Sequence, residues 1–305
     1  MTMTRTSTKS GVMRARVGQD STGGRLYLVG SPIGNLDDIT LRAIQTLQEV
    51  DLIACEDTRR TQKLLRHFRI NTPTISYHEH NELTRAPELI LEMEGGAGIA
   101  LVADAGMPVI SDPGYRLVKL AIRHGLPVVP IPGASAFVAA LSASGLPMDR
   151  FRFLGFLPSK KTQRRKAIEE LKPTRKTQVF YEAPQRLLET LADIEKLLGD
   201  RPVVMAREVT KIHEEFVRGS AAEVLAHLKK KRVKGEITVV LGPADHVEAL
   251  PSATTPERSI QKEIERVMAE RKLDERAALK IVARARGLSR SEAYRQWQGE
   301  KSSGK

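Results

Sequence analysis

The residues with the most chemical potential lie in short loops that each follow an apolar, strand-like run. The loop ADAGMPVISDPG, Ala103 to Gly114, follows the run GIALV and precedes the helix-like segment YRLVKLAIRHG. Its glycines, prolines, aspartates and Ser111 offer bare backbone and fixed polar groups. Ligands usually bind beyond the carboxyl ends of strands in open α/β sheets, so the loop is predicted to bind one. The segment after the loop is predicted to be a helix with Asp112 as N-cap, Pro113 at its first position and Gly125 at its end. The alternative for the loop is an ordinary strand-to-helix turn.

Five other loops occupy the same kind of position, namely GSPIGN, CEDTRR, IPGASA, YEAP and GEIT. The sequence has no P-loop, no strand-linked GxGxxG, no CxxC and no HExxH, and HEH at 78–80 is a weak metal candidate, so no metal is expected. Loops of this kind suit reactions that need positioning more than covalent help. Methyl transfer fits, because a sulfonium donor is already activated and the enzyme aligns the acceptor.

Alternating strands and helices must position these loops, and the chain alternates in this way from Arg25. The pattern predicts an α/β fold, with a largely parallel sheet in residues 24–131. Residues 132–243 are predicted to form a second α/β domain. Its expected strands include QVFYEA, PVVMARE and EITVVL, with a helix before the last. A cleft where the two domains meet is the usual place for a small ligand.

The two ends of the chain differ from this body. Residues 1–23 are polar and basic and are expected to form a disordered tail, although an organelle-targeting segment would look similar. Residues 244–258 are predicted to be a linker. Residues 259–299 are helical by spacing and resemble a helix-turn-helix, with Ser289 as cap of the last helix and Glu292 completing a capping box. A plain helical hairpin is the alternative.

Charge and composition indicate a polyanionic partner and a reducing compartment. The 305 residues carry a formal net charge of +12 and only 4% aromatic residues. Three basic runs stand out, at 57–69, 160–176 and 229–234, and they favour nucleic acid bound mainly through its phosphates. The single cysteine, Cys55, excludes an intramolecular disulfide and is typical of a cytoplasmic protein. No apolar stretch approaches the length of a membrane span.

The chain closely resembles the bacterial 16S ribosomal RNA cytidine 2′-O-methyltransferases, within the tetrapyrrole-methylase-like (class III) S-adenosylmethionine methyltransferases. The resemblance runs from Arg25 to the C-terminus. It is carried by YLVGSPIGNLDDITLRAI, ACEDTR, LVADAGMPVISDPG, PIPGASA, FLGFLP, FYEAP and AREVTKIHEE, in this order. It implies two α/β domains with S-adenosylmethionine in the cleft between them, a homodimer, and a substrate in 16S ribosomal RNA of the 30S subunit, at a decoding-centre cytidine.

The resemblance also implies a set of site residues. Donor binding falls to thirteen positions in four loops: Asp104, Ala105, Gly106, Met107, Pro108, Ser111, Pro132, Gly133, Ala134, Ser135, Tyr181, Glu182 and Gly235. The GSPIGN loop receives a substrate-side role. The basic runs would grip RNA phosphates through Lys160, Lys161, Arg164, Arg165, Lys229, Lys230, Lys231 and Arg232.

Catalysis requires a group that takes or orients the proton of a ribose 2′-hydroxyl. The catalytic candidates are Glu56, Asp57, Arg59 and Lys211, and Asp104, Glu182, Glu208 and His213 lie in comparable loops. Each could instead be a cap, a surface ion pair or a loop brace; Asp57 could simply cap the helix that follows it.

Two other functions remain open from the sequence. One is methylation of a tetrapyrrole or another small molecule by the same fold, against which the broad basic surface argues. The other is a helix-turn-helix regulator whose α/β body senses a ligand.

Overall fold

The computed structural model describes residues 24–229, 233–244, 259–271, 273–285 and 288–303. The chain divides into two compact units, residues 1–250 and 251–305. The predicted tail 1–23, most of the predicted linker 244–258, and Lys230, Lys231 and Arg232 lie outside the described residues.

The first sheet of the larger unit is entirely parallel, with strand order β3-β2-β4-β1-β5. Its strands are β1 (Arg25–Val29), β2 (Leu52–Cys55), β3 (Thr74–Ser76), β4 (Gly98–Val102) and β5 (Val128–Ile131). The helices that accompany them are α1 (Leu41–Glu49), α2 (Thr58–His67), α3 (Glu82–Glu94) and α4 (Tyr115–Arg123).

Both faces of this sheet are buried, which explains the continuous apolar run of β4. Ile99 and Leu101 pack in one core with residues of α3 and α4, whereas Ala100 and Val102 pack in a second core with residues of α1 and α2. The carboxyl ends of β1 and β4 are neighbours, and the chain runs from β1 toward β2 on one side and from β4 to β5 on the other. Such a switch point is where open parallel sheets bind ligands.

The second sheet has the order β6-β7-β10-β8-β9 and is mostly antiparallel; only β6 and β7 run parallel. Its strands are β6 (Phe151–Phe156), β7 (Thr177–Glu182), β8 (Pro202–Arg207), β9 (Glu215–Ser220) and β10 (Ile237–Leu241). Its helices are α5 (Ala136–Ser142), α6 (Lys161–Glu169), α7 (Pro184–Leu198) and α8 (Ala221–Leu228). Strand β9 was not predicted, because EFVRGS has only two apolar side chains and carries the charges of Glu215 and Arg218.

One hydrophobic core joins the two halves of the larger unit. Helix α5 follows the first sheet in the chain but packs on β7 and β10 of the second. Ile33, from the loop after β1, is buried in the same core as Ala140, Val179 and Val240. The predicted boundary between residues 131 and 132 stays a prediction, and the strands of the two sheets fall on either side of it.

The predicted start of α4 is wrong. The helix begins at Tyr115, and its N-cap is Gly114 rather than Asp112. Gly114 has a φ of +132°, and a Cβ there would lie 2.6 Å from Leu101 Cδ2, so only glycine fits. The predicted end is confirmed, since Gly125 follows the last helical turn with a φ of +72°.

The smaller unit contains α9 (Ile260–Arg271), α10 (Glu275–Ala285) and α11 (Arg290–Ser303) around a core that includes Trp297. The predicted capping box is confirmed: the Ser289 hydroxyl accepts the Glu292 N–H, and the Glu292 carboxylate accepts the Ser289 N–H at 2.9 Å. Among the described helices of the chain, none combines the length and the apolarity needed to cross a bilayer.

A buried ion pair fastens α6 to α7. The Arg164 side chain is 1% exposed, and its guanidinium donates to Asp193 Oδ2 at 2.9 Å and to Glu189 at 3.1 Å. Arg165 donates to the other oxygen of Asp193 at 2.7 Å.

We expect Arg164→Ala to lower the free energy of unfolding by about 3–5 kcal/mol, because it removes the buried cation that pairs with Oδ2 of the Asp193 carboxylate. Urea unfolding followed by circular dichroism measures this. Lys161→Ala, an exposed position in the first turn of the same helix, is the control and should change stability by less than about 0.5 kcal/mol. Equal effects of the two changes would contradict the structural role of Arg164.

Candidate functional site

Two adjoining cavities open where the halves of the larger unit meet. The main cavity has a volume of about 340 Å³ and is lined by residues of both halves: Ile33, Arg60, Asp104–Met107, Ile110–Asp112, Ser135, Ala136, Phe156, Tyr181–Pro184, Val209 and Gly235–Thr238. The side cavity has a volume of about 300 Å³ and is lined by Ser31–Gly34, Leu36, Arg60, Thr61, Lys63, Leu64, Val102–Ala105, Lys211 and Glu236. Five residues line both cavities, which are Ile33, Arg60, Asp104, Ala105 and Glu236.

The loop between β4 and α4 forms one wall of the main cavity in a strained conformation. Val109 has a φ of +76° and Ser111 a φ of +65°, values that L-residues rarely adopt and a β-branched residue least of all. Residues with such backbone angles cluster at active sites and ligand-binding loops, where the surrounding structure holds them in place.

A short antiparallel bridge holds this loop to the loop after β1. The Ser31 N–H donates to the Gly106 carbonyl at 2.9 Å, and the Gly106 N–H donates to the Ser31 carbonyl at 3.2 Å. The buried Ser31 hydroxyl also donates to the Ala103 carbonyl at 3.1 Å. The bridge therefore fixes the boundary between the two cavities.

Nine of the thirteen residues predicted to bind the donor line the main cavity, namely Asp104, Ala105, Gly106, Met107, Ser111, Ser135, Tyr181, Glu182 and Gly235. The other four, Pro108, Pro132, Gly133 and Ala134, do not line it. Gly133 instead lies against the backbone of Gly30, where a Cβ would meet Cα at 2.8 Å. Its lack of a side chain serves the contact between two loops.

Asp57 and Arg59, two of the catalytic candidates, lie at the start of α2 and outside both cavities. Asp57 is the N-cap, and its carboxylate accepts the Arg59 backbone N–H and the Arg59 guanidinium. The hydrogen bonds from Arg59 lower the pKa of Asp57 to about 2, which makes it a poor base. Neither residue lines either cavity. The structure therefore supports the capping alternative for Asp57, and Arg59 is its partner.

Arg60 was not among the predicted site residues, but its side chain lines both cavities. Its Nη1 lies 3.2 Å from Asp104 Oδ2, and Asp104 Oδ1 accepts the Asp57 N–H at 3.1 Å. Successive helical residues point about 100° apart, so the helical period at 59 and 60 was the available signal.

Glu182 lies at the end of β7 with both carboxylate oxygens occupied. Oε1 accepts from the Ala183 N–H at 2.8 Å and pairs with Arg186 at 2.7 Å, and Oε2 accepts from the Thr190 hydroxyl at 2.6 Å. This carboxylate fixes the start of α7. It is thus a brace of the cavity wall rather than an available base.

Lys211 reaches the side cavity from the second half of the unit. Its ammonium lies 2.8 Å from Glu208 Oε1 and 3.3 Å from Glu236 Oε2. A Cβ at Gly34 would overlap the Lys211 side chain, so that glycine gives the lysine its path. Partial burial alone would lower the pKa of Lys211, but the hydrogen bond from its ammonium to Glu208 and the charge of Glu236 raise it. Lys211 therefore acts as a cation. His213 is exposed and lines neither cavity.

Three carboxylates cluster beside the main cavity. Burial, together with the charges of Glu56 and Asp104, raises the pKa of Asp112 to about 6, and Asp112 lines the cavity. Burial and the charge of Asp104 likewise raise the pKa of Glu56. The sequence predicted Asp112 only as a helix cap. Glu56 and Asp104 come close to it because they follow β2 and β4, which are neighbours in the sheet. Among the described residues, no group of acidic, histidine or cysteine side chains is arranged to hold a metal ion.

The basic residues predicted to bind RNA fall into different environments. Lys160, Lys161 and Lys229 are exposed. Arg164 is buried in its ion pair, so its prediction as an RNA contact is wrong, and Arg165 is partly exposed and bound to Asp193. The spacing of the run did not reveal that one face of α6 packs on α7.

Comparison with known proteins identifies the family that this chain resembles. Residues 25–225 match the model of the tetrapyrrole (corrin/porphyrin) methylases. The "Ribosomal RNA small subunit methyltransferase I" of Halalkalibacterium halodurans is 55% identical over 74% of this chain and 78% of its own length. The protein of the same name from Synechocystis sp. is 46% identical over 90% of this chain and 91% of its own length.

A solved structure has the same fold at low identity. The uroporphyrin-III C-methyltransferase of Thermus thermophilus, complexed with S-adenosyl homocysteine, superposes with a TM-score of 0.52 at 20% identity. The match covers 72% of this chain and 98% of that one. This superposition confirms the predicted fold class. The match to the methylase family confirms S-adenosylmethionine as the cofactor.

Asp112→Asn should stabilise the protein above pH 6. The fold favours the protonated carboxyl, whose pKa is about 6 rather than 3.8, so the protein loses stability as pH rises from 3.8 to about 6, and the full loss persists above that. We expect a gain of about 1–3 kcal/mol at pH 8 that shrinks as pH falls through 6. Urea unfolding at pH 5 and pH 8 tests this, with the exposed Asp149→Asn as control. A gain independent of pH would contradict it.

Gly106→Leu should weaken donor binding at least tenfold, because a side chain at the lining residue Gly106 competes with a ligand for the main cavity. Gly106 has a φ of +83°, so any other residue at this position also strains the backbone. Gly199→Leu is the matched control, since Gly199 has a φ of +66° and no neighbour within 4 Å of a Cβ. Calorimetric titration with S-adenosylmethionine measures both. Normal binding by the Gly106 variant would move the donor site elsewhere.

Proposed function

This chain belongs to the tetrapyrrole (corrin/porphyrin) methylase family, and within it to the ribosomal RNA small subunit methyltransferase I group, and from that membership we propose that it methylates 16S ribosomal RNA. The group methylated is the ribose 2′-hydroxyl of a cytidine in the decoding centre. The observation that carries the proposal is the pair of adjoining cavities, of which one has the carboxylate of Asp112 and the other has the cations of Lys63 and Lys211.

The main cavity suits S-adenosylmethionine. Its walls combine the aromatic rings of Phe156 and Tyr181, 5.5 Å apart, with loop backbone and carboxylates. The carboxylates of Asp104, Asp112 and Glu236 give this cavity the sign of charge that a sulfonium and an amino group favour. The bound donor would supply an activated methyl group, so the residues need only align and deprotonate the acceptor.

Asp104 is the candidate best placed to accept a hydrogen bond from the acceptor hydroxyl. It lines both cavities, whereas Asp57 lines neither and Glu182 has both oxygens occupied. Partial burial would raise the pKa of Glu208, but the hydrogen bonds from Lys211 and the Glu236 N–H lower it, so Glu208 is also a weaker base. Lys211 would hold its positive charge beside the ribose. Glu56 would act through its charge on Asp112 rather than by contact.

The exposed lysines Lys160, Lys161 and Lys229 would contact phosphates farther along the RNA, with an affinity that falls as salt rises. We also propose a homodimer, testable by light scattering of the purified protein, and a cytoplasmic location, where ribosomal subunits are assembled.

The test is transfer from labelled S-adenosylmethionine to unmodified 30S subunits, naked 16S RNA and DNA. We expect label at one cytidine of the small-subunit RNA, with the adjacent linkage resistant to alkali because a 2′-O-methyl group blocks attack on the phosphate. The Gly106→Leu variant is the control for transfer that depends on the main cavity. Label on a base would contradict ribose methylation. Donor binding without transfer to any RNA would favour a small-molecule substrate.

A further inference from the structure

One face of α2 brings two cations to the side cavity. Arg60, Thr61, Lys63 and Leu64 line it, and this spacing of one, three and four residues places them on one side of the helix. Arg66, farther along the same helix, lines neither cavity and donates its Nε to the Gln62 carbonyl at 3.1 Å.

Among the residues that line the side cavity, cations outnumber carboxylates by one, and Lys211 also pairs with Glu208, which lies outside the lining. Three cationic side chains and two carboxylates line it: Arg60, Lys63 and Lys211, with Asp104 and Glu236. Both carboxylates have cationic partners, Asp104 in Arg60 and Glu236 in Lys211. Within the part of the chain that the structure describes, Lys63 is exposed and has no ion pair.

The geometry points to a phosphodiester subsite: we propose that Arg60 and Lys63 bind the phosphate next to the ribose that is methylated. This rests on the proposed function and names the part of the RNA that the side cavity takes. A guanidinium matches two phosphate oxygens, and an ammonium adds a point charge. Because the cavity adjoins the main cavity at Asp104, a phosphate here lies beside a ribose at their junction.

The ion pair of Arg60 gives the subsite a second role. The Arg60 side chain is 65% exposed, so its contact with Asp104 is weak and can be exchanged for a phosphate. On exchange, Asp104 Oδ2 loses its cation and becomes available to the acceptor hydroxyl, while Oδ1 keeps the Asp57 N–H. Arg60 is thus a positioning residue that couples RNA binding to the state of Asp104.

The experiment compares Lys63→Gln, Lys63→Arg, Arg60→Gln and Arg66→Gln as full-length proteins. Initial rates of methyl transfer are measured against the concentration of unmodified 30S subunits at saturating donor and at several salt concentrations. Donor affinity is measured separately by calorimetry. Arg66→Gln is the matched control, because it removes one positive charge from the same helix outside both cavities.

We expect Lys63→Gln to raise the KM for 30S subunits about fivefold or more, with kcat and donor affinity changed less than about twofold. The slope of log KM against log salt should fall by about 0.7 for the lost contact. Lys63→Arg should restore the wild-type KM, and Arg66→Gln should stay within about twofold of it. Arg60→Gln should raise KM and, unlike Lys63→Gln, also lower kcat more than twofold, because Arg60 both holds the phosphate next to the reacting ribose and pairs with Asp104.

Equal KM values for Lys63→Gln and Arg66→Gln, with an active wild-type protein, would overturn the subsite alone. A wild-type protein that binds the donor but methylates no RNA would overturn the proposed function and the subsite together. A loss of donor affinity in Lys63→Gln would overturn the assignment of Lys63 to the acceptor side.

Discussion

The site depends on the backbone bridge between Ser31 and Gly106. Two hydrogen bonds join the loop that follows β1 to the loop that follows β4, and the Ser31 hydroxyl adds a third to Ala103. Because the bridge uses backbone groups, it fixes loop positions with little dependence on side chains nearby. It also sets the place of Ile33, two residues along, which is buried in the core shared with the second half of the unit. This one backbone contact thereby fixes the boundary between the cavities and helps to hold the two halves together.

The framework could be predicted because its determinants are local. The run GIALV is apolar at every position, which indicates a strand buried on both faces, and glycine at 125 ends a helix for reasons of backbone sterics. Chain order alone then places the loops at one edge of the first sheet. The antiparallel strand β9 escaped prediction because its stability comes from pairing with β8, which no local pattern in EFVRGS reveals.

The roles of individual charged residues could not be predicted in the same way. Lys161 and Arg164 are three residues apart in one basic run, yet the first is exposed and the second is 1% exposed against Asp193. Arg59 and Arg60 are neighbours, and only the second reaches a cavity. In each case the outcome depends on which face of a helix meets a partner from a distant segment. Composition gives the number of charges, whereas packing decides which of them remain available.

The distribution of charge between the cavities follows from the chemistry proposed for them. A sulfonium donor is cationic and an RNA acceptor is anionic, so one undivided pocket of either sign would attract one substrate and repel the other. Here Asp112, with Glu56 close by, lies on the main-cavity side, whereas Lys63 lies on the side-cavity side. Arg60 and Asp104 form the exposed ion pair at the divide. Both residues of that pair line both cavities, so a phosphate that binds Arg60 would leave the Asp104 carboxylate without its cation. The ion pair would therefore link binding of the acceptor to the charge at the junction of the two cavities.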